Sequence, residues 1–430
     1  MSNWEQRSER NVKTYLIVLL FLVVLIGLLY INIKFKGESF QVFGIYGSIM
    51  VLYLVGKMTL SFYYKPYVNE PPNMKVSVII PSYNEKPDAV LGTVQSILDQ
   101  EYPIHEIFFI DDGSADDSGY QAVLDFKEKW ERERNTKDSY KFPRLVVYQM
   151  PKNKGKRHAQ IWAFEQATGD IFFTVDSDGY VYPDALKELM RPFANPEVMA
   201  VTGHINARNK DHSLFTKLLD MRYDNAFRVE RAAQSATGNI LVCSGPISCY
   251  RREVVMENLE HYGSQMFLGQ VVQSGDDRCL TNYAILKGNT VYQSGARCDT
   301  DVPDNLRQFL KQQIRWNKSF FRESIIAFQI GFQKPITLIW VVFEMLLWIL
   351  FGFVIILALF FKMGSFGLVI LLYYLAALCL SAYARNVHYV IKQPFVFMLA
   401  PLYGLIHLVL LFPLRFYALL TIKEAKWGTR

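Results

Sequence analysis

Apolar residues gather toward the two ends of this chain in runs long enough to cross a bilayer, and that feature limits its architecture most. About 20 consecutive apolar residues in a helix span a hydrocarbon core of ~30 Å. Residues 15–33 form one almost unbroken run, and residues 42–63 form a second, interrupted only by Lys57. Near the other end, residues 337–361 and 366–384 are clear runs, while 395–420 is apolar but broken by Pro401 and Pro413. A signal peptide has a shorter apolar region and a small-residue cleavage site. Lys34 and Lys36 follow the first run instead, so it reads as an uncleaved anchor. Arg7, Arg10 and Lys13 place the N-terminus in the cytoplasm by the positive-inside tendency, with Lys34 and Lys36 voting the other way. Lys57 is expected to snorkel along its alkyl stem. Two crossings return the chain to the cytoplasm before Lys65. The expectation is a multi-pass protein of the cell membrane with a cytoplasmic centre.

The formal net charge is +6, which raises nucleic acid as a partner. No basic stripe with stacking aromatics and no zinc spacing accompanies it, so nucleic acid is excluded. Basic residues flanking spans account for the charge, with membrane lipids as neighbours. The five cysteines, Cys243, Cys249, Cys279, Cys298 and Cys379, are odd in number and include no CxxC pair. That argues against a disulfide framework or zinc site and fits a reducing compartment.

Between residues 75 and 250 the pattern changes. Short apolar runs at 76–80, 107–110, 145–150 and 171–175 read as strands. Stretches at 88–100, 118–134 and 157–167 read as helices. This alternation predicts an α/β domain, a mostly parallel sheet with helices on both faces. It is joined to an α-helical transmembrane bundle and to interfacial amphipathic helices. Residues 306–328 are the clearest of these: Arg307, Lys311, Arg315, Lys318 and Arg322 recur at helical spacing, as do Leu310, Ile314, Phe321 and Ile325. Such a helix suits a membrane interface, basic side toward head groups. Residues 213–233 have a similar character.

Ligands of these sheets bind beyond the carboxyl ends of the strands. The first strand runs into Pro81-Ser82-Tyr83-Asn84-Glu85 and the second into Asp111-Asp112-Gly113-Ser114. A nucleotide needs an aromatic face for its base and carboxylates for base N–H and ribose hydroxyls. Tyr83, Glu85, Asp111 and Asp112 supply those types. Asn153-Lys154-Gly155-Lys156-Arg157 opens a helix, where a glycine, a helix N-terminus and three cations suit a diphosphate. The fourth strand runs into Asp176-Ser177-Asp178. Two carboxylates one residue apart after an apolar strand suit a shared hard cation, Mg²⁺ or Mn²⁺. Gly275-Asp276-Asp277-Arg278 offers a second acidic pair and a candidate general base. On the amphipathic helix, Gln312, Arg315 and Trp316 lie on neighbouring parts of one surface. There the indole can stack on a sugar and the guanidinium can pair with phosphate.

In this order the DDG, DxD, GDD and QxxRW motifs resemble the processive family-2 glycosyltransferases, which make cellulose, chitin and hyaluronan. The resemblance covers nearly the whole chain. It is strongest to the bacterial, streptococcal-type hyaluronan synthases, through Val242-Cys243-Ser244-Gly245-Pro246, Tyr250-Arg251-Arg252-Glu253, residues 275–283, residues 305–324 and the final Trp427-Gly428-Thr429-Arg430. It implies a GT-A catalytic domain and an inverting, processive reaction. UDP-GlcNAc and UDP-glucuronate would be the donors, and a nascent hyaluronan chain would be held and moved across the membrane. It implies Asp277 as base and Asp178 with Asp176 at the metal. Gln312, Arg315 and Trp316, with Cys243 and Gly245, would meet the acceptor. Trp427 and Arg430 would close over the diphosphate, which requires a cytoplasmic C-terminus. The stretch 395–420 should then be two short crossings or a re-entrant segment. Arg208, Arg251 and Arg252 are candidates for the glucuronate carboxylate, and Glu344, Arg385 and Arg415 for the polymer path. The expected division is 1–64 membrane, 65–304 catalytic, 305–333 interfacial, 334–422 membrane and 423–430 tail. A monomer satisfies these expectations. The acidic pair reads GDD, not TED, which argues against cellulose. A chitin-oligosaccharide synthase using UDP-GlcNAc alone is the alternative.

Overall fold

The computed structural model describes residues 41–136, 142–360, 375–376 and 378–423. Its central sheet contains β1 (Val76–Ser82), β2 (Glu106–Asp111), β3 (Arg144–Gln149), β4 (Ile171–Thr174), β5 (Tyr180–Val181), β6 (Val198–Ala207), β7 (Ser248–Arg251) and β10 (Asn289–Thr300). A separate hairpin pairs β8 (Met266–Phe267) with β9 (Gln270–Val271). The order across the sheet is β3-β2-β1-β4-β7-β6-β10-β5. Only β7 and β5 run against the rest. The mostly parallel α/β expectation therefore holds, and the four strands read from the sequence form one contiguous half.

Every residue of β1, β2 and β4 is buried, as in a sheet covered on both faces. Their Val, Ile and Phe side chains share one core with Val90, Val94 and Ile97 of the Pro87–Leu98 helix and Ala159, Ala163 and Phe164 of the Lys156–Gln166 helix. Parallel register aligns the strand ends: Ser82 pairs with Asp111, and Ile79 with Thr174. The polar motifs after β1, β2 and β4 thus emerge side by side.

Among the described residues, Pro335–Gly352 and Ala400–Leu420 are long and apolar enough to cross a membrane, and Gly47–Tyr63 is a shorter apolar helix. The expected span at 15–33 lies outside the described residues, and the one at 366–384 lies only partly within them. The stretch 395–420 is not divided in two at Pro413. A short Pro394–Met398 helix precedes a single 21-residue run, Ala400–Leu420. Pro401 sits in its first turn, where the missing N–H is harmless, and a π-turn at His407–Leu411 absorbs Pro413. Lys57 does not snorkel. It is buried, with Nζ 4.4 Å over the Tyr53 ring.

The amphipathic helix is Leu306–Gly331, capped by Asn305 Oδ1, which accepts from Gln308 N at 3.0 Å. Its basic stripe does not all face lipid. Residues 317–324 are buried on every side, Lys318 and Arg322 included. The helix is wedged between the Asp276–Lys287 helix of the α/β domain and the Pro335–Phe360 and Phe412–Leu420 helices. Residues 213–233 form a helix with a Ser213–Thr216 capping box, continued by a π-turn at Ala226–Arg231.

Candidate active site

The residues expected to meet the nucleotide begin at the ends of β1 and β2. Asn84 takes a positive φ of 53° and its side-chain oxygen accepts from Ala115 N at 3.0 Å. That bond ties the Tyr83–Glu85 turn to the turn after β2. Asp111 is occupied within its own turn, accepting from Ser114 N at 2.9 Å and Ser114 Oγ at 2.5 Å. Asp112 braces a third segment: its two oxygens accept from Lys154 N at 2.9 Å and Gly155 N at 2.8 Å. Burial pushes the Asp112 carboxyl above its ordinary range, against the pull of those two donors. Asp112 was expected on the nucleotide. In the structure it shapes the loop that would meet one. Lys154 is exposed on that loop.

Asp176 and Asp178 follow β4. Lys156 Nζ lies 2.7 Å from Asp176 Oδ1 and 2.9 Å from Asp276 Oδ2, so one ammonium links the DxD and GDD motifs. Burial works against that charge, but Asp176 and Asp276 outweigh it and hold Lys156 above its ordinary value. Gly245 lies against this pair: a Cβ there would stand 3.3 Å from Lys156 Nζ and 3.6–3.7 Å from the Asp176 oxygens. It was expected at the acceptor, and the structure sets it at the Lys156–Asp176 contact. Among the described residues no group of three His, Cys, Asp or Glu side chains gathers to hold a metal. Two carboxylates one residue apart nevertheless suit Mg²⁺ or Mn²⁺, which bind through one or two carboxylates plus phosphate oxygens.

Asp276 and Asp277 open the Asp276–Lys287 helix behind Gly275, whose φ is +88°. Their environments differ. Burial opposes the Asp276 charge, but Lys156 and Arg157 overcome it and keep its carboxyl low. Burial and then the Asp276 charge push Asp277 up, against Arg278 and Lys156. Two adjacent carboxylates are thus split into an anchored anion and a basic one. Thr281 Oγ1 donates to the Asp277 carbonyl at 2.6 Å and accepts from Cys243 N at 2.9 Å, joining the Val242–Pro246 segment to Asp277.

Two expected contacts are corrected here. Arg157 does not face the diphosphate. It is 2% exposed, donating to Gln265 Oε1 at 2.5 Å and to the Gly275 carbonyl at 3.2 Å, and it lies 3.8 Å from Glu323. Cys243 does not offer its thiol to an acceptor. The thiol is buried, and burial pushes it up to about 12.

Of the residues expected at the acceptor, Trp316 is 42% exposed, and Gln312 and Arg315 are half-buried on the same helix. A Cβ on Gly275 would collide with Ser319, so this helix presses directly on the acidic turn. Arg322 donates to Ser274 O at 3.0 Å and Ser274 Oγ at 2.8 Å. Glu323 accepts from Gln265 at 3.0 Å and Asn282 at 3.1 Å. Gln265, Arg322 and Glu323 escape sequence reading. Their only signal is the charge of residues 322 and 323 on what proves to be a fully buried stretch of helix. Arg251 donates to Val198 O at 2.7 Å and Arg252 to Ala167 O, and strand pairing sets Arg251 beside Ile171, at the other end of β4 from Asp176 and Asp178. Arg208 is held by Asp301 at 2.7 Å. Trp427 and Arg430 lie outside the described residues.

Residues 77–259 match the sequence family described as Glycosyl transferase family 2, and residues 171–381 match Glycosyl transferase family group 2. The chain is 50% identical to a hyaluronan synthase of Streptococcus pyogenes over 419 residues, covering 97% of both. It is 33% identical to an N-acetylglucosaminyltransferase of Azorhizobium caulinodans, over 84% of this chain and 88% of the relative. In fold it is similar to a mannosyltransferase of Pyrobaculum calidifontis solved with GDP-Man and Mn²⁺. That likeness has a TM-score of 0.60 at 20% identity, covering 85% of this chain and 97% of the other.

Proposed function

This chain belongs to the hyaluronan synthases of glycosyltransferase family 2, and we propose that its reaction is run by the residues gathered at the β1, β2 and β4 strand ends and the GDD turn. It is a membrane enzyme that polymerises GlcNAc and glucuronate from UDP-sugars into hyaluronan. The observation that carries the mechanism is the split acidic pair: Asp276 anchored by Lys156, Asp277 buried and raised beside it.

Displacement at an anomeric carbon needs the attacking hydroxyl to lose its proton as the bond forms. Asp277 takes that proton, and its raised pKa makes it the stronger base of the pair. The fixed charge on Asp276 keeps it so. Asp176 and Asp178 would hold Mg²⁺ or Mn²⁺, which supplies neutralisation of the departing UDP. Lys156, Lys154 and Arg430 add positive charge on the same side. Tyr83, Glu85 and Asp111 bind the uridine, and Trp427 covers it. Gln312, Arg315 and Trp316 hold the acceptor sugar. Gly245 keeps the space between the two sides clear.

The product is a polyanion, and the groups beneath the catalytic domain are rich in cations. Glu230 is held down to about 2: burial opposes its charge, but Arg222, Lys57, Arg385 and Arg231 outweigh that. Glu344 also acts on Lys57 and Arg231, so the group holds four cations and two anions, and this net positive balance supports export of hyaluronan between the spans. The catalytic domain, N-terminus and C-terminal tail face the cytoplasm in this reading, with the domain boundaries given above and a single chain as the working unit.

Purified enzyme with Mg²⁺ or Mn²⁺, assayed for UDP release, tests the reading. Sustained release only with both UDP-GlcNAc and UDP-glucuronate, giving a hyaluronidase-sensitive product, is expected. Sustained release with UDP-GlcNAc alone and a chitinase-sensitive product would contradict it.

A further inference from the structure

Beside Asp277 two arginines share one aromatic ring. Arg278 Cζ lies 5.3 Å from the Phe320 ring centroid and Arg415 Cζ lies 5.5 Å from it. Arg278 follows the base directly, and its backbone N–H donates to Asp277 Oδ1 at 2.8 Å. Arg415 comes from the Ala400–Leu420 apolar helix and donates through Nε to Asn317 Oδ1 at 3.1 Å. Phe320 belongs to the Leu306–Gly331 helix, one turn beyond Trp316, and is only 8% exposed.

An aromatic face attracts a cation, but it does not cancel the charge, and two guanidiniums around one ring repel. Neither Arg278 nor Arg415 forms an ion pair with a described residue. Arg251, Arg252 and Arg322 also lack a carboxylate, but each donates to backbone carbonyls, whereas Arg278 and Arg415 have the Phe320 face in common. Asp277 and Glu344 act on these two half-buried guanidiniums only from beyond ion-pair distance, which leaves room between them for a further anion. The diphosphate belongs on the Asp276 side of the turn, where Lys156 joins Asp276 to Asp176. Arg278 and Arg415 instead flank Phe320, which lies on the helix of Gln312, Arg315 and Trp316. Apart from the diphosphate, the one anionic group on the reacting sugars is the glucuronate carboxylate.

We propose that Arg278 and Arg415, set around Phe320 beside Asp277, form a subsite for the carboxylate of a glucuronate unit in the growing chain. This rests on the hyaluronan reading above. A guanidinium fork pairs with a carboxylate through two charge-assisted hydrogen bonds, so the subsite fixes orientation as well as charge. GlcNAc has no such group. The subsite therefore engages every second sugar and sets the register of a chain whose units alternate.

The test is a ligand–residue cycle on the full-length enzyme in detergent. The probes are a hyaluronan octasaccharide and the same octasaccharide with its carboxyl groups reduced to primary alcohols. Binding is read by calorimetry for wild type, Arg278→Gln, Arg415→Gln and Arg415→Lys. Wild type should lose at least tenfold in affinity when the carboxyls are reduced. Each Gln variant should lose less than threefold, and Arg415→Lys should fall between. UDP binding within twofold of wild type checks that each variant is folded. A Gln variant that loses as much as wild type on carboxyl reduction would overturn the subsite, and so would a wild type indifferent to reduction. Failure of wild type to polymerise with both donors is a separate result that counts against the hyaluronan reading itself.

Discussion

The donor and acceptor sides of this site are built by different means. On the proposed donor side Tyr83, Glu85, Asp111, Asp176 and Asp178 each follow a strand within a few residues, and their neighbours are fixed by the register of β1, β2 and β4. On the acceptor side the groups arrive from far along the chain. Arg157, Gln265, Gly275 and Glu323 meet in one buried cluster that presses the Leu306–Gly331 helix onto the acidic turn. The donor side is local structure with chemistry at its ends. The acceptor side is a tertiary assembly, whose failure should be structural as often as chemical.

That contrast is broken most severely at the base. Asp277→Asn keeps the shape and removes the proton acceptor. Transfer should fall by roughly 10²–10⁴, the usual share of a general base, with UDP binding retained. Isothermal titration with UDP beside a polymerisation assay checks both. Normal synthesis by the variant would remove Asp277 from the role.

The second largest effect should appear on the acceptor side as lost stability. Arg157→Leu leaves Glu323 buried without its cation and frees the Gly275 carbonyl. Removing one partner of a buried pair costs about 3–5 kcal/mol, and the double variant with Glu323→Leu should recover part of that. Chemical denaturation in detergent reads it. A single variant as stable as wild type would show that the cluster does not hold the helix in place.

A smaller loss is expected on the donor side at Gly245. A valine there would push into Lys156 and Asp176, whose atoms stand 3.3–3.7 Å from a Cβ. Gly245→Val should lower turnover about tenfold, roughly 1.4 kcal/mol in the barrier, and raise the metal concentration needed for half activity. Unchanged metal dependence would place the space elsewhere.

Legibility in the sequence followed the same division. The runs at 76–80, 107–110, 145–150 and 171–175 are apolar because their strands are covered on both faces, so the parallel half of the sheet and the motifs after it could be read directly. β6 and β10 carry His204, Asn206, Gln293 and Arg297 among apolar residues, which hides them as strands. Arg157 looked like a phosphate ligand because charge at a helix N-terminus usually faces solvent or an anion. Only the fold shows that Gln265 and Glu323 wait beneath it. Lys318 and Arg322 were read onto a lipid-facing stripe for the same reason: helical spacing gives a direction, not what lies there. Pro413 suggested a break in the last apolar stretch, and a π-turn keeps that helix continuous.

The split of the acidic pair is the centre of this account, and the acid limb of the rate against pH tests it most directly. A base works only when ionised, so synthesis should fail as pH drops through the Asp277 pKa, which burial and Asp276 hold above the ordinary carboxylate value. Asp276→Asn removes the neighbouring charge and should move that limb to lower pH than in wild type. A limb that stays in place, or moves upward, would contradict the assignment of Asp277 as the base raised by Asp276.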